Sequence, residues 1–302
     1  MMKGPFLVGI VCALAAQVIF GFSLIFTRAI TLTVTPMTLL SWRFIVALII
    51  FKACILMRII KIDIKGKPLK PLIALAFLNP FLHFVGETFG ISNTSASEAA
   101  VFISIIPVAT LILSSLLLKE TPTKLKILGI SFSVAGIIVI MSVRGLSAIF
   151  NPFGYIMLFM ACVSYALYAI VVQKEESFTS AEKSYVMTAF GAFAFTMIAV
   201  VENGINSTLI TFAMLPVTNF DFLVAILYLG IGSSVVAFLL YNTSIAKIGA
   251  TRAVSFAGIS TIVAIIAGVT ILQESFTFLQ GVGAALVISG VYMVNVIPKN
   301  NQ

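Results

Sequence analysis

"LLLKETPTKLKILGISFSVAGIIVI", residues 116–140, and "TILQESFTFLQGVGAALVISGVYMV", residues 270–294, read as one passage written twice. A shift of 154 residues lays Glu120 over Glu274, Gly129 over Gly283 and Gly136 over Gly290. Upstream, Ala96, Ala99, Phe102 and Ile112 fall on Ala250, Ala253, Phe256 and Ile266, and "GPF" at 4–6 is echoed by "NPF" at 151–153. A small apolar alphabet produces single identities by chance. A glutamate and two glycines in the same order at the same spacing are a stronger signal.

Around these passages the chain is built for lipid. Hydrophobic residues make up 61% and charged residues 9%, with a mean hydropathy of +1.18. A soluble domain carries roughly a quarter charged residues, so this chain cannot clothe a water-facing surface. Apolar stretches long enough to cross the hydrocarbon fall at 6–28, 37–57, 72–91, 98–118, 125–143, 153–173, 184–202, 222–242, 252–272 and 277–297. The sequence therefore predicts an all-α membrane protein of ten transmembrane helices. The repeat divides them into two five-span units, 1–147 and 148–302. Five is odd, so the second unit enters the membrane from the opposite side and the repeats are inverted, an arrangement common in secondary transporters.

The net charge of +8 follows orientation rather than nucleic acid. With the N-terminus inside, the even-numbered connections, both tails and the span ends beside them hold 15 of the 18 Lys and Arg. The outer side receives Arg28 and Arg144, and Arg43 lies within the second span. That bias predicts cytoplasmic termini in a multi-pass protein of the cell membrane. Glu98 opens the fourth span outside while its counterpart Arg252 opens the ninth inside, as inversion demands. The first span imitates a signal peptide, with Lys3 and an Ala-Leu-Ala at 13–15, but its apolar run continues to Phe26 and nine spans follow, so it reads as membrane-embedded. Cys12, Cys54 and Cys162 lie within spans and read as small buried hydrophobes.

These ten spans, the two five-span halves, "LSWRF" (40–44) and the paired ends "LLKETPTKLKILG" and "ILQESFTFLQGVG" resemble the EamA-type carriers of the drug/metabolite transporter superfamily over essentially the whole chain. The resemblance implies ten helices around a central cavity and gradient-coupled movement of small metabolites, often export of amino acids or drugs. By the same resemblance, Phe20, Tyr165 and Tyr168 are cavity-lining candidates. In the first span this chain has "FGFS" (20–23) where many relatives carry a tryptophan before the glycine.

The third span, "LIALAFLNPFLHFVGETFGIS" (72–92), carries the residues most suggestive of chemistry. Asn79, the lone histidine His83, and Glu87 are spaced four apart, which on a helix makes one polar stripe. Ionisable groups inside a span usually face a cavity or a partner. Arg43 lies at a matching depth on the preceding span, roughly 10 Å below the same boundary. Two readings stay open: a structural Glu87–Arg43 ion pair beside a satisfied histidine, or a substrate and proton site on Glu87, His83 and Arg43. Pro80 and Pro107 are either packed kinks or bends that shape the cavity.

Glu120, Glu274 and Glu98 read as structural. Glu120 precedes Thr121-Pro122, a helix start, and Ser95 with Glu98 can form a capping box. The glycines seven apart on the fifth and tenth spans make a close-packing face that could also serve a homodimer. No HExxH, P-loop, paired aspartates or GxSxG with a matching histidine is present, and no motif calls for a cofactor or metal. A secondary carrier for a small polar or zwitterionic metabolite, working as an exporter coupled to protons, is the leading expectation. A multidrug exporter of cations is its rival, and an intramembrane enzyme using His83 a remote alternative.

Overall fold

The computed structural model describes residues 3–64, 67, 70–118, 123–145, 151–175, 177–254 and 256–295, and all its regular structure is helical among these. The helices are α1 (Lys3–Thr31), α2 (Pro36–Leu56), α3 (Lys70–Ala76), α4 (His83–Asn93), α5 (Ala96–Ile103), α6 (Ile106–Leu118), α7 (Lys124–Gly145) and α8 (Pro152–Lys174). There follow α9 (Ser180–Ile205), α10 (Leu209–Thr218), α11 (Phe220–Leu227), α12 (Phe238–Ile248), α13 (Ala250–Val254), α14 (Ala257–Thr270) and α15 (Phe278–Asn295). Nine helical stretches among the described residues are long and apolar enough to cross a membrane, each within a few residues of its predicted span. The tenth span is α15.

Helix starts obey local chemistry. Thr35 caps α2, accepting from the Thr38 amide at 3.2 Å, with Pro36 in the first turn. Asn151 caps α8 in the same way, accepting from Phe153 N–H at 3.1 Å ahead of Pro152. Thr179 and Glu182 form a reciprocal capping box on α9. Ser95 caps α5 through the Glu98 amide at 3.1 Å, while Glu98 Oε1 accepts from Gln280 of α15 at 2.8 Å. Glu98 thus links the fourth span to the tenth. Glu274 crosses between the halves too. Its carboxylate takes the Ala96 and Ser97 amides at 2.7 and 3.0 Å and the Ser97 hydroxyl at 2.6 Å, capping α5. Its structural reading is sound; Glu120 lies outside the described residues.

Helix packing is symmetric under exchange of the two halves. The first span packs on the eighth and ninth, and the sixth on the third and fourth; the second pairs with the seventh and the fifth with the tenth. A Cβ on Gly136 would stand 2.5 Å from the Gly283 carbonyl, and one on Gly283 2.8 Å from the Gly136 carbonyl. The glycine face expected from sequence is therefore spent inside the chain, holding α7 against α15, and is not open to a second copy.

Two spans are interrupted at corresponding positions. The third is kinked within Phe77–Leu82, where Asn79 leaves helical backbone, and the eighth widens into a π segment at Tyr228–Ala237. The shift of 154 that aligns the repeats carries Asn79-Pro80 onto Ser233-Ser234. The fourth and ninth spans also break alike, between α5 and α6 and between α13 and α14. Pro107 sits just after the first of these breaks, at the start of α6, where a proline costs no helical hydrogen bond.

Candidate functional site

Residues that the third span places at the centre of the bundle define the site. Asn79 precedes a proline, which disfavours helical backbone, and it adopts φ −144° and ψ 115°. The expected stripe of three therefore breaks there: Asn79 leaves the helix, and His83 and Glu87 keep their four-residue spacing on α4. Gly86 brings α4 close to α8, since a Cβ there would stand 2.5 Å from the Met157 carbonyl. That closeness lets His83 Nδ1 reach the Ala161 carbonyl at 3.1 Å. His83 Nε2 lies 3.2 Å from Glu87 Oε2, both side chains buried. Glu87 Oε1 has no protein hydrogen-bond partner.

The pair borders a small central cavity of about 50 Å³. A water needs about 10–15 Å³ of such space, so the cavity has room for a few waters. Aromatic rings make most of the wall. Tyr165 stands edge-on to His83 at 4.8 Å, Phe84 lies 5.9 Å from Phe238, and Phe20 6.1 Å from Tyr241. Gln17, Ser23 and Ser260 add neutral polar groups. Phe20 and Tyr165, expected from the family resemblance, line this cavity. Tyr168 does not; it is buried behind, donating to Asn242 Oδ1 at 2.5 Å.

Arg43 is the main correction. It is 1% exposed and stands outside the cavity lining. Its Nε donates to Ser234 and its Nη2 to Ser233, both at 2.8 Å, and its guanidinium carbon lies 4.1 Å from the centre of the Phe84 ring. No Arg43–Glu87 ion pair forms, although the two charges are near enough to interact. Matching depth put both residues in one layer but could not fix which way each faces. The π segment of the eighth span supplies two hydroxyls that satisfy the guanidinium, and Phe84 intervenes. The sequence signal for those serines was their alignment with Asn79-Pro80.

A vestibule of about 520 Å³ lies at one end of the bundle, bordered by Arg28, Ser92, Asn93, Glu98, Asn151 and Glu274. Arg28 Nη1 donates to the Ile91 and Ser92 carbonyls at 3.1 and 2.9 Å, fixing the first span against the third. The opposite end is drawn together by Glu182, which accepts from the Asp63 amide at 3.1 Å and from Lys67 Nζ at 2.8 and 3.0 Å. No group of three or more His, Cys, Asp or Glu able to hold a metal occurs among the described residues.

Comparison with known proteins agrees with this architecture. The model of the EamA-like transporter family matches twice, over residues 7–142 and 152–296. The uncharacterized transporter YcxC of Bacillus subtilis is 32% identical over 288 residues, covering 95% of this chain and 92% of the relative. An uncharacterized transporter of Archaeoglobus fulgidus is 28% identical, covering 86% and 88%, and the uncharacterized inner membrane transporter YedA of Escherichia coli K12 is 26% identical, covering 86% and 81%. A protein crystal structure 16% identical aligns over 96% of both chains with a TM-score of 0.60, a likeness in fold.

Proposed function

Because the chain belongs to the EamA-like transporter family, and so is a multi-pass membrane transporter, we propose that it is a proton-coupled carrier whose cargo is a small amine with an apolar body. The observation that carries this reading is the His83–Glu87 pair in an aromatic cavity that Arg43 does not border. A carbonyl can only accept, so His83 Nδ1 must donate to Ala161, and in the neutral ring Nε2 is then a lone pair. A hydrogen bond between Nε2 and Glu87 at 3.2 Å requires one more proton, either on Nε2, which then donates to the carboxylate, or on the carboxylic acid, which then donates to Nε2. The pair is a one-proton store.

An ammonium group entering the cavity donates to Glu87 Oε1, and the pair releases its proton to the water it next faces. Charge balances, one cation in for one proton out. Aromatic rings supply cation–π attraction and apolar contact for the cargo's body. The zwitterion reading needs a cationic partner for a carboxylate, and Arg43 is outside the cavity lining, with Nε and Nη2 bonded to Ser234 and Ser233; a cation carrier therefore fits the lining better. Basic-residue asymmetry supports cytoplasmic termini in the cell membrane, and export against an inward proton gradient suits exchange of this kind.

Proteoliposomes containing the full chain, given a pH gradient and a panel of primary amines and amino acids, test the reading. Amines should accumulate with the gradient and discharge it, and amino acids should not. Transport of amino acids in preference to amines would return the zwitterion reading and reassign Arg43.

A further inference from the structure

Seven buried side-chain atoms among the described residues have no protein hydrogen-bond partner, and three of them, Glu87 Oε1, Thr27 Oγ1 and Thr88 Oγ1, belong to α1 and α4, the helices that border both the central cavity and the vestibule. Thr27 and Thr88 are fully buried and Glu87 is 6% exposed. Helix periodicity places both threonines on the faces that join the two spaces. On the first span Gln17, Phe20 and Leu24 border the cavity and Arg28 the vestibule, with Thr27 three residues beyond Leu24. On the third span Phe84 and Glu87 border the cavity and Ser92 the vestibule, with Thr88 four residues from both Phe84 and Ser92. Arg28 fixes these two spans in register at the vestibule end through the Ile91 and Ser92 carbonyls.

A hydroxyl in hydrocarbon with no partner is costly, and buried helical threonines can return a bond to the preceding turn, as Thr110 does to Ile106 at 2.8 Å and Thr261 to Ala257 at 3.4 Å. Thr27 and Thr88 do not. We propose that the seam between the first and third spans is a proton path from the vestibule to Glu87, with the Thr27 and Thr88 hydroxyls as its middle rungs. A hydroxyl both donates and accepts, so it passes a proton along a hydrogen-bonded chain without acquiring charge of its own. The vestibule end presents the carboxylates of Glu98 and Glu274 beside Arg28. The titratable groups around Glu87 are His83 on its own helix, Arg43 of α2, Cys162 and Tyr165 of α8 and Tyr241 of α12. Within the cavity α1 and α14 contribute the neutral Gln17, Ser23 and Ser260. None of these lies on the seam itself. The proposal rests on Glu87 as the proton store.

The test is infrared difference spectroscopy of the full-length protein in lipid after a rapid pH jump, following the Glu87 band, whether a buried carboxyl or a carboxylate shifted by a newly charged His83, that disappears in Glu87→Gln. Thr27→Val with Thr88→Val keeps shape and removes both hydroxyls. It should slow the rise of that band by roughly tenfold or more while leaving its midpoint pH in place. Thr27→Ser with Thr88→Ser should keep the parental rate. A merely structural role would move midpoint and stability together and would not be rescued by serine. A parental rate in the folded valine variant overturns the path while leaving the amine carrier intact. Should the double variant fail to fold, each single valine is measured, and parental rates in both have the same meaning. A band that persists in Glu87→Gln overturns the proton store and the path with it.

Discussion

The third span is interrupted at Phe77–Leu82 and the eighth at Tyr228–Ala237, and one shift of the sequence superposes the two interruptions. Beyond that common break the two spans part company. In the third, Asn79-Pro80 opens the backbone and the next turns carry His83 and Glu87 into the cavity. In the eighth, Ser233 and Ser234 turn their hydroxyls onto Arg43, and the positions aligned with Phe84 and Glu87 are Phe238 and Tyr241, which also reach the cavity. The duplicated fold keeps its weak points, as a kink in one half and a π segment in the other. The polar chemistry is unequal: one half carries the His83–Glu87 pair proposed to hold the proton, and the other bonds Arg43 through Ser233 and Ser234. On that proposal, an inverted repeat presents its one proton-holding centre to either side while the second half serves as the surface it rocks against.

The sharpest way to break this comparison is at Glu87. Glu87→Gln keeps shape and hydrogen-bonding capacity but cannot store the proton. Gradient-driven accumulation should fall to background, while exchange of labelled amine without net proton movement survives at a reduced rate. Tyr241→Phe, at the aligned place in the other half, should retain gradient-driven accumulation. If Tyr241→Phe abolished coupling and Glu87→Gln did not, the assignment of roles would be reversed.

The Arg43 contacts give the next effect. In a double-mutant cycle on thermal stability, Arg43→Met and Ser234→Ala should couple by about 1.5–3 kcal/mol, the worth of a charged hydrogen bond. Arg43→Met with Glu87→Gln should be closer to additive, because Ser233 and Ser234, not Glu87, hold the guanidinium. Strong Arg43–Glu87 coupling would restore the direct ion pair.

Packing between the halves follows. Gly136→Ala places a methyl against the Gly283 carbonyl, where neither backbone can yield, and should destabilise by about 1–3 kcal/mol. Gly258→Ala has open space and should be near neutral. Differential scanning fluorimetry of both variants in detergent makes the measurement, and equal melting temperatures would mean that α7 and α15 are not held this closely.

Most of this architecture was legible in the sequence because membrane spans depend on little beyond length and apolarity. The glutamate–glycine–glycine passage exposed the repeat, and the four-residue spacing of His83 and Glu87 survived intact. Two features were hidden for definite reasons. Asn79 was expected on the same stripe, but the proline after it takes its backbone out of the helix. Depth placed Arg43 beside Glu87, but depth does not give rotation about the helix axis, and the partners that decide that rotation lie some 190 residues away in the other half. Long-range hydroxyl partners such as Ser233 leave no local pattern. Tyr168 was a candidate by resemblance alone, and its hydroxyl is engaged by Asn242, one layer behind the wall.

The smallest effect separates the two partners at the end opposite the vestibule. Glu182 is 3% exposed and accepts from the Thr179 and Asp63 amides at 2.9 and 3.1 Å as well as from Lys67, whose side chain is 31% exposed. Removing Lys67 leaves the carboxylate with two amide donors, so Lys67→Met should lower stability by less than about 1 kcal/mol, the usual worth of a half-exposed pair. Glu182→Ala removes the capping box of α9 and releases the Asp63 amide at once, and should cost about 1–2 kcal/mol more. The two melting temperatures, taken at low salt and at high salt, check the reasoning. The Lys67→Met deficit should shrink with salt because it is the screened part, and the Glu182→Ala deficit should largely persist because amide hydrogen bonds are not screened. Equal deficits with equal salt dependence would mean that the ion pair, rather than the cap, closes this end of the bundle.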